Sequence, residues 1–183
     1  MKKITLFILL VAPFLMAMQC EPEPCTPKVS QKFKENLITI ENLQNTYNVG
    51  DILWLNSYLD RNQTFTDPTE TIDLLTYPMD FGFGLQFYKS SVYNPEIYLC
   101  LDENTTEITN GSLINCNLFV YEKVGNNLKS RVGIKLLETG NYKISIYNIA
   151  SFRESGLNCN DKAIDINTTF SNNNEQMISF TVQ

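Results

Sequence analysis

Residues 81–88 read Phe81-Gly82-Phe83-Gly84-Leu85-Gln86-Phe87-Tyr88. Large apolar side chains fall on every second residue, the period at which a strand sends successive side chains to opposite faces. The phenylalanines define one core face. The two glycines opposite them mark a bulge or a close approach to the backbone. Further downstream, Leu128, Ser130, Val132, Ile134 and Leu136 alternate with Lys129, Arg131 and Lys135, after a hairpin turn at Gly125-Asn126-Asn127. Tyr142, Ile144 and Ile146 then alternate with Lys143, Ser145 and Tyr147 beyond a turn at Thr139-Gly140-Asn141.

The remaining segments read the same way. Strands are predicted over 33–41, 49–59 (apolar on both faces at its centre), 71–77, 96–102 and 176–182. Between Asn110-Gly111 and residue 121, Ile114, Cys116, Leu118 and Val120 form the predicted inner face, opposite Asn115, Asn117, Phe119 and Tyr121. Segments 60–68 and 151–174 read as polar loops. Alanine occurs only at positions 12, 17, 150 and 163, a composition that favours strand over helix. Eight or nine strands joined by short turns predict an all-β, Ig-like antiparallel β-sandwich over 31–183, one domain. A closed barrel is the alternative.

The amino terminus says where the chain resides. Lys2 and Lys3 precede an apolar run from Ile4 to Met18, too short for the roughly 20 residues that span a bilayer. Residues 1–19 therefore read as a signal peptide. The Ala17-Met18-Gln19-Cys20 stretch resembles the lipobox of bacterial lipoproteins. The resemblance implies cleavage before Cys20, lipid attachment at Cys20 and residence in the cell envelope, on either face of the outer membrane. Ordinary secretion, with cleavage after Ala17, is the alternative. Residues 20–30, with Glu21-Pro22-Glu23-Pro24, then form a semi-rigid extended tether.

Five cysteines are an odd number for an exported chain. With Cys20 carrying lipid, four remain to pair. Cys100 with Cys116 is the favoured bridge, joining neighbouring strands across the Asn110-Gly111 turn, although Cys100 falls on the face of Tyr98 and Asp102 and Cys116 on that of Ile114, Leu118 and Val120. A loop of about 15 residues contributes roughly 3 kcal/mol in the chain-entropy account. Cys25 with Cys159 follows.

Chemistry is constrained by composition. The chain has no histidine, which removes His-based triads, general bases and metal ligands together. A net charge of −6 and a pI near 4.7 speak against nucleic acid as a partner. No cofactor or metal site is expected. The stretch Asn158, Asn160, Asp161, Asp165 and Asn167 offers oxygen ligands but lacks the spacing of a calcium loop. Aromatics are dense from Tyr77 to Tyr98, and most belong to core packing. Tyr88, opposite the phenylalanine face, and Tyr93, in a polar loop, are the candidate ligand-binding residues.

These features predict a non-catalytic envelope lipoprotein acting as a binding module for a glycan or an envelope protein. An accessory subunit of an envelope complex is an alternative. A hydrolase using two of Asp51, Asp60, Asp67, Asp73, Asp80 and Asp102 is another.

Overall fold

Each described residue held at left-handed φ is Asn or Gly, the residues that occupy that region at least cost. These positions cut the chain into strands. In the computed structural model, which describes residues 26–90, 93 and 96–183, sixteen strands follow in order. They are β1 (Lys28–Phe33), β2 (Ile38–Ile40), β3 (Thr46–Tyr47), β4 (Ile52–Asp60), β5 (Asn62–Thr66), β6 (Thr69–Asp73), β7 (Asp80–Ser90) and β8 (Ile97–Tyr98). Then come β9 (Thr106–Asn110), β10 (Ser112–Ile114), β11 (Leu118–Val120), β12 (Glu122–Val124), β13 (Asn127–Lys135), β14 (Gly140–Phe152), β15 (Lys162–Asn167) and β16 (Met177–Val182). The readings of residues 1–19, Cys20 and Cys25 lie outside the described residues.

The fold is an all-β sandwich with no closed barrel. A nine-stranded sheet follows the order β1-β15-β14-β7-β11-β10, with β16 and β3 continuing from the first half of β14 and β8 pairing the end of β7. A five-stranded sheet follows β12-β13-β4-β2, with β9 also on β13. β5 and β6 form a separate hairpin. Pairing is antiparallel except for β1 with β15 and β3 with β16.

The core lies between the sheets. Phe81, Phe83, Leu85 and Phe87 of β7 and Ile144, Ile146 and Ile149 of β14 face Leu53, Leu55, Val132 and Ile134 of the small sheet, all in one buried cluster. The predicted inner faces of β7, β13 and β14 are thus the buried ones. A one-residue bulge between Ile146 and Ile149 keeps β14 in phase with β7.

Several expectations need correction. Asn36, at φ 64°, divides the predicted 33–41 strand into β1 and β2. The polar stretch 60–68 is not a loop: Gln63 and Phe65 are buried and β5 pairs with β6. The segment 151–174 contains β15, whose Ala163, Ile164 and Ile166 are buried, and the buried Phe170. The stretch 49–59, apolar on both faces at its centre, is buried on one: Leu53, Leu55 and Leu59 are inside, while Trp54 is only partly buried. In 96–102 only Ile97 and Tyr98 pair. The inner face predicted for 114–120 is inverted. Asn115, at φ 60°, reverses the chain into a β10–β11 hairpin, and Phe119 and Tyr121 are the residues that go inside.

Cys100 and Cys116 are joined. The bridge links the 99–105 connection to the turn between β10 and β11, so it does not span neighbouring strands across Asn110-Gly111. Cys159 is also disulfide-bonded.

The chain passes between the sheets twice within a dozen residues. At Gly111 it leaves β9 in the small sheet for β10 in the large one. At Tyr121 it leaves β11 for β12 and returns. The passages lie against each other: a Cβ at Gly111, which holds φ +92°, would stand 2.1 Å from the carbonyl oxygen of Val120. Only glycine fits there. Tyr121 still belongs to the large sheet by backbone, its N–H donating to Phe81 O at 2.9 Å, and its ring meets Phe83 edge-on. Its hydroxyl reaches the small sheet and donates to Ser57 Oγ at 2.6 Å, while Ser57 donates to Leu37 O at 2.8 Å. Burial pushes the phenol pKa well above its ordinary value, the Ser57 bond opposing only part of the shift.

Tyr121→Phe should cost roughly 1–2 kcal/mol in urea unfolding, the worth of one buried hydrogen bond. Ser57→Ala should cost more, because it leaves a buried phenol and the Leu37 carbonyl without that partner. Equal or negligible losses would remove this chain of bonds from the account of how the sheets are held.

Candidate surface on the large sheet

The two outer faces of the sandwich differ in chemistry. On the small sheet, Trp54 lies over Gly133 of the neighbouring strand, where an added Cβ would come within 3.1 Å of the indole. The guanidinium of Arg131 stacks on that ring at 3.9 Å from its centroid and makes two 2.8 Å hydrogen bonds to the Glu41 carboxylate. Those bonds hold the Glu41 carboxyl below its usual value, against a smaller opposing effect of burial. Lys129 lies 5.7 Å from the Tyr58 ring, and Lys135 stands 3.9 Å from Glu107. Trp54 and Tyr58 each have a cation over the ring, and Arg131 and Lys135 are paired with acids. Such a face is satisfied by water and by itself.

The outer face of the large sheet is built differently. Gly82 and Gly84 of β7, Ala150 of β14 and Ala163 of β15 make a floor almost without side chains. Val29 of β1, Leu118 of β11, Tyr147 of β14 and Leu157 stand around it, enclosing an apolar groove of about 260 Å³. Tyr147 is positioned by the β14 bulge. Its Cβ lies 3.1 Å from where a Gly84 Cβ would be, so the ring occupies space that the glycine leaves, yet 69% of the residue remains exposed. Met177 of β16 and Tyr98 of β8 add exposed apolar surface to the same sheet. An exposed apolar groove marks a contact site more often than scattered exposed residues do.

Of the two predicted residues, Tyr88 lies on this outer face, opposite Lys143 of β14. It is half-buried, edge-on to the Tyr98 ring at 5.8 Å between centroids. Tyr93 is 98% exposed and stands apart from that pair, so the structure does not bring the two together. Sequence reading missed Val29, Leu118 and Leu157, since nothing in their own neighbourhoods marks them as a set. The paired glycines were the signal that was present.

Of the six candidate carboxylates, Asp51, Asp73 and Asp102 are engaged in local structure. Asp73 accepts two hydrogen bonds from Arg61, the largest cause of its lowered pKa. Asp51 accepts from the Asn48 N–H, and Asp102 closes the 102–105 turn through the Thr105 N–H, which chiefly lowers its pKa. In the oxygen-rich loop, Asp161 accepts from the Asn158 N–H and Arg153, and Asp165 from Gln31. Among the described residues no three His, Cys, Asp or Glu side chains are grouped to hold a metal. Compared with family models, characterised proteins and solved structures, the chain matches none.

Tyr147→Ala should change stability by less than about 0.5 kcal/mol, as an exposed side chain away from the core. Gly82→Val should cost roughly 1–3 kcal/mol, because even its Cβ would meet Phe119 O and Leu118 Cδ1 at 3.0 Å. Denaturant unfolding of the two variants separates surface from floor; a large loss for Tyr147→Ala would make that ring structural.

Proposed function

We propose that the chain is a non-catalytic, lipid-anchored envelope protein that binds another envelope component, a protein or a glycan, through the outer face of its large sheet. The observation that carries this reading is the asymmetry between the two outer faces. One covers Trp54 with the Glu41-paired Arg131, while the other leaves Tyr147, Val29 and Leu157 standing around a bare floor. Apolar area withdrawn from water at such a patch contributes about 25 cal/mol per Å² before the costs of association. Tyrosine suits the task, presenting a large rigid surface with a polar tip.

The leader and the lipobox-like Cys20 support placement in the envelope. The Pro/Glu tether supports a domain held off the bilayer, free to meet a partner. The acidic balance supports a protein or glycan over nucleic acid.

A chain that starts at residue 20 and carries Cys20→Ala has neither leader nor lipid, so when it is added to washed envelopes any association comes from protein contacts. On that background Tyr147→Ala should reduce the sedimenting fraction at least about fivefold, the loss of a modest contact residue. Tyr58→Ala, on the opposite face, should leave it unchanged. A Cys20→Ala chain that stays wholly in the supernatant, or a Tyr58→Ala effect equal to that of Tyr147→Ala, would overturn the proposal.

A further inference from the structure

The groove over the Gly82–Gly84 floor has a single charged side chain among the described residues that line it, Asp165 of β15. Ile164 and Ile166 on either side of it go into the core, so strand alternation puts Asp165 on the outer face, with Ala163. In register it lies between Gln31 of β1 and Ala150 of β14. Its Oδ2 accepts a hydrogen bond from the exposed Gln31 amide at 3.0 Å, while its Oδ1 is shielded and has no hydrogen-bond partner. Among the described residues no lysine or arginine pairs with it. A carboxylate oxygen withdrawn from water without a donor is costly.

The rest of the groove is apolar and open to solvent at its rim, where Val29 is 49% exposed and Leu157 and the Tyr147 ring stand beside it. An occupant that suits both parts has an apolar stem and a cationic head that donates hydrogen bonds. Lysine and arginine side chains have that make-up, since their methylene stems lie on apolar surface while the head seeks water or an opposite charge. A neutral sugar would set hydroxyls against Val29 and Leu157 and bring no charge to Asp165. An acidic group would be repelled. The cationic head takes the place of the exposed Gln31 amide, and rotation about the Asp165 Cβ–Cγ bond offers it either oxygen. An ion pair then stands where a neutral donor stood.

We infer that this groove takes a lysine or arginine side chain presented by an envelope protein, its stem against Val29, Leu157 and Tyr147 and its head on Asp165. The inference rests on the reading of the large-sheet face as a contact surface, and it selects a protein over a glycan as the component bound.

The test uses the chain from residue 20 carrying Cys20→Ala, free of detergent and observed through the methyl resonances of Val29, Ala150 and Leu157. It is titrated with capped tripeptides in which two leucines flank a lysine, a glutamine or a glutamate. Saturable shifts are expected with the lysine peptide, and binding at least about tenfold weaker with the other two, the worth of one bond between charged groups. Asp165→Asn keeps the shape of the side chain and should bring the lysine peptide down to the level of the glutamine one. Gln31→Ala, an exposed change that frees Oδ2, should tighten the lysine peptide by at least about twofold. Equal affinity for the three peptides, a lysine preference that survives Asp165→Asn, or no gain with Gln31→Ala would each overturn the inference. So would saturable shifts with N-acetylglucosamine and none with the lysine peptide, since the occupant would then be a glycan. In the washed-envelope assay Asp165→Asn should lower the sedimenting fraction as far as Tyr147→Ala does. A fall with Tyr147→Ala alone would overturn this inference and leave the contact face standing, whereas no fall with either variant would remove the face as well.

Discussion

At Tyr121 one side chain belongs to both layers of the sandwich, and the rest of the molecule depends on that. The backbone there is still bonded to β7 while the hydroxyl reaches Ser57 in β4. A buried phenol with its one donor satisfied, and a serine that passes its own proton to Leu37 O, fix the spacing of the two sheets at one point. Buried polar groups are costly unless paired, so an alternative register of β11 against β7 that withdrew Tyr121 from Ser57 would strand the phenol. Phe83 and Phe119, stacked at 5.3 Å between centroids, fill the space around this bond.

The glycines on β7 follow from the same geometry. With Phe81, Phe83, Leu85 and Phe87 committed to the core, the alternate residues form the outer face. There Gly82 makes room for Leu118 and Phe152, and Gly84 for Tyr147. An outer face of ordinary polar residues would have needed neither. The small sheet covers its own outward-facing glycine, Gly133, by laying Trp54 across it and closing the stack with Arg131 and Glu41. Both faces thus cover a glycine with an aromatic, but only one caps the aromatic with charge.

Strands were legible where their alternation is strict: β7, β13, β16 and β14 as far as Ile146 keep apolar residues in step along the pleat. Two strands were hidden by their neighbours. Phe65 sits among Asn62, Gln63, Thr64 and Thr66, and β15 lies within a run of Asn, Asp and Ser; in each case burial of a few residues outweighs a polar surrounding. The inversion at 114–120 has a local cause, since a left-handed Asn115 reverses the chain in mid-pattern and resets the phase. Cys116 falls in that turn, which is why it meets Cys100 although strict alternation would put the two on different faces. For the site, the glycine pair and Tyr88 were visible. The groove was not, because its walls come from β1, β11, β14 and the 151–161 segment, and the bulge that aims Tyr147 leaves no mark in the sequence.

The central claim is that the two outer faces serve different ends, one for water and one for a partner. A photo-reactive phenylalanine placed at position 147, and separately at position 58, tests it directly in intact cells. Both positions are exposed, so both probes are tolerated and both can react. The account predicts a discrete cross-linked species from position 147 and none from position 58. Cross-links of equal yield from both faces, or from position 58 alone, would contradict it.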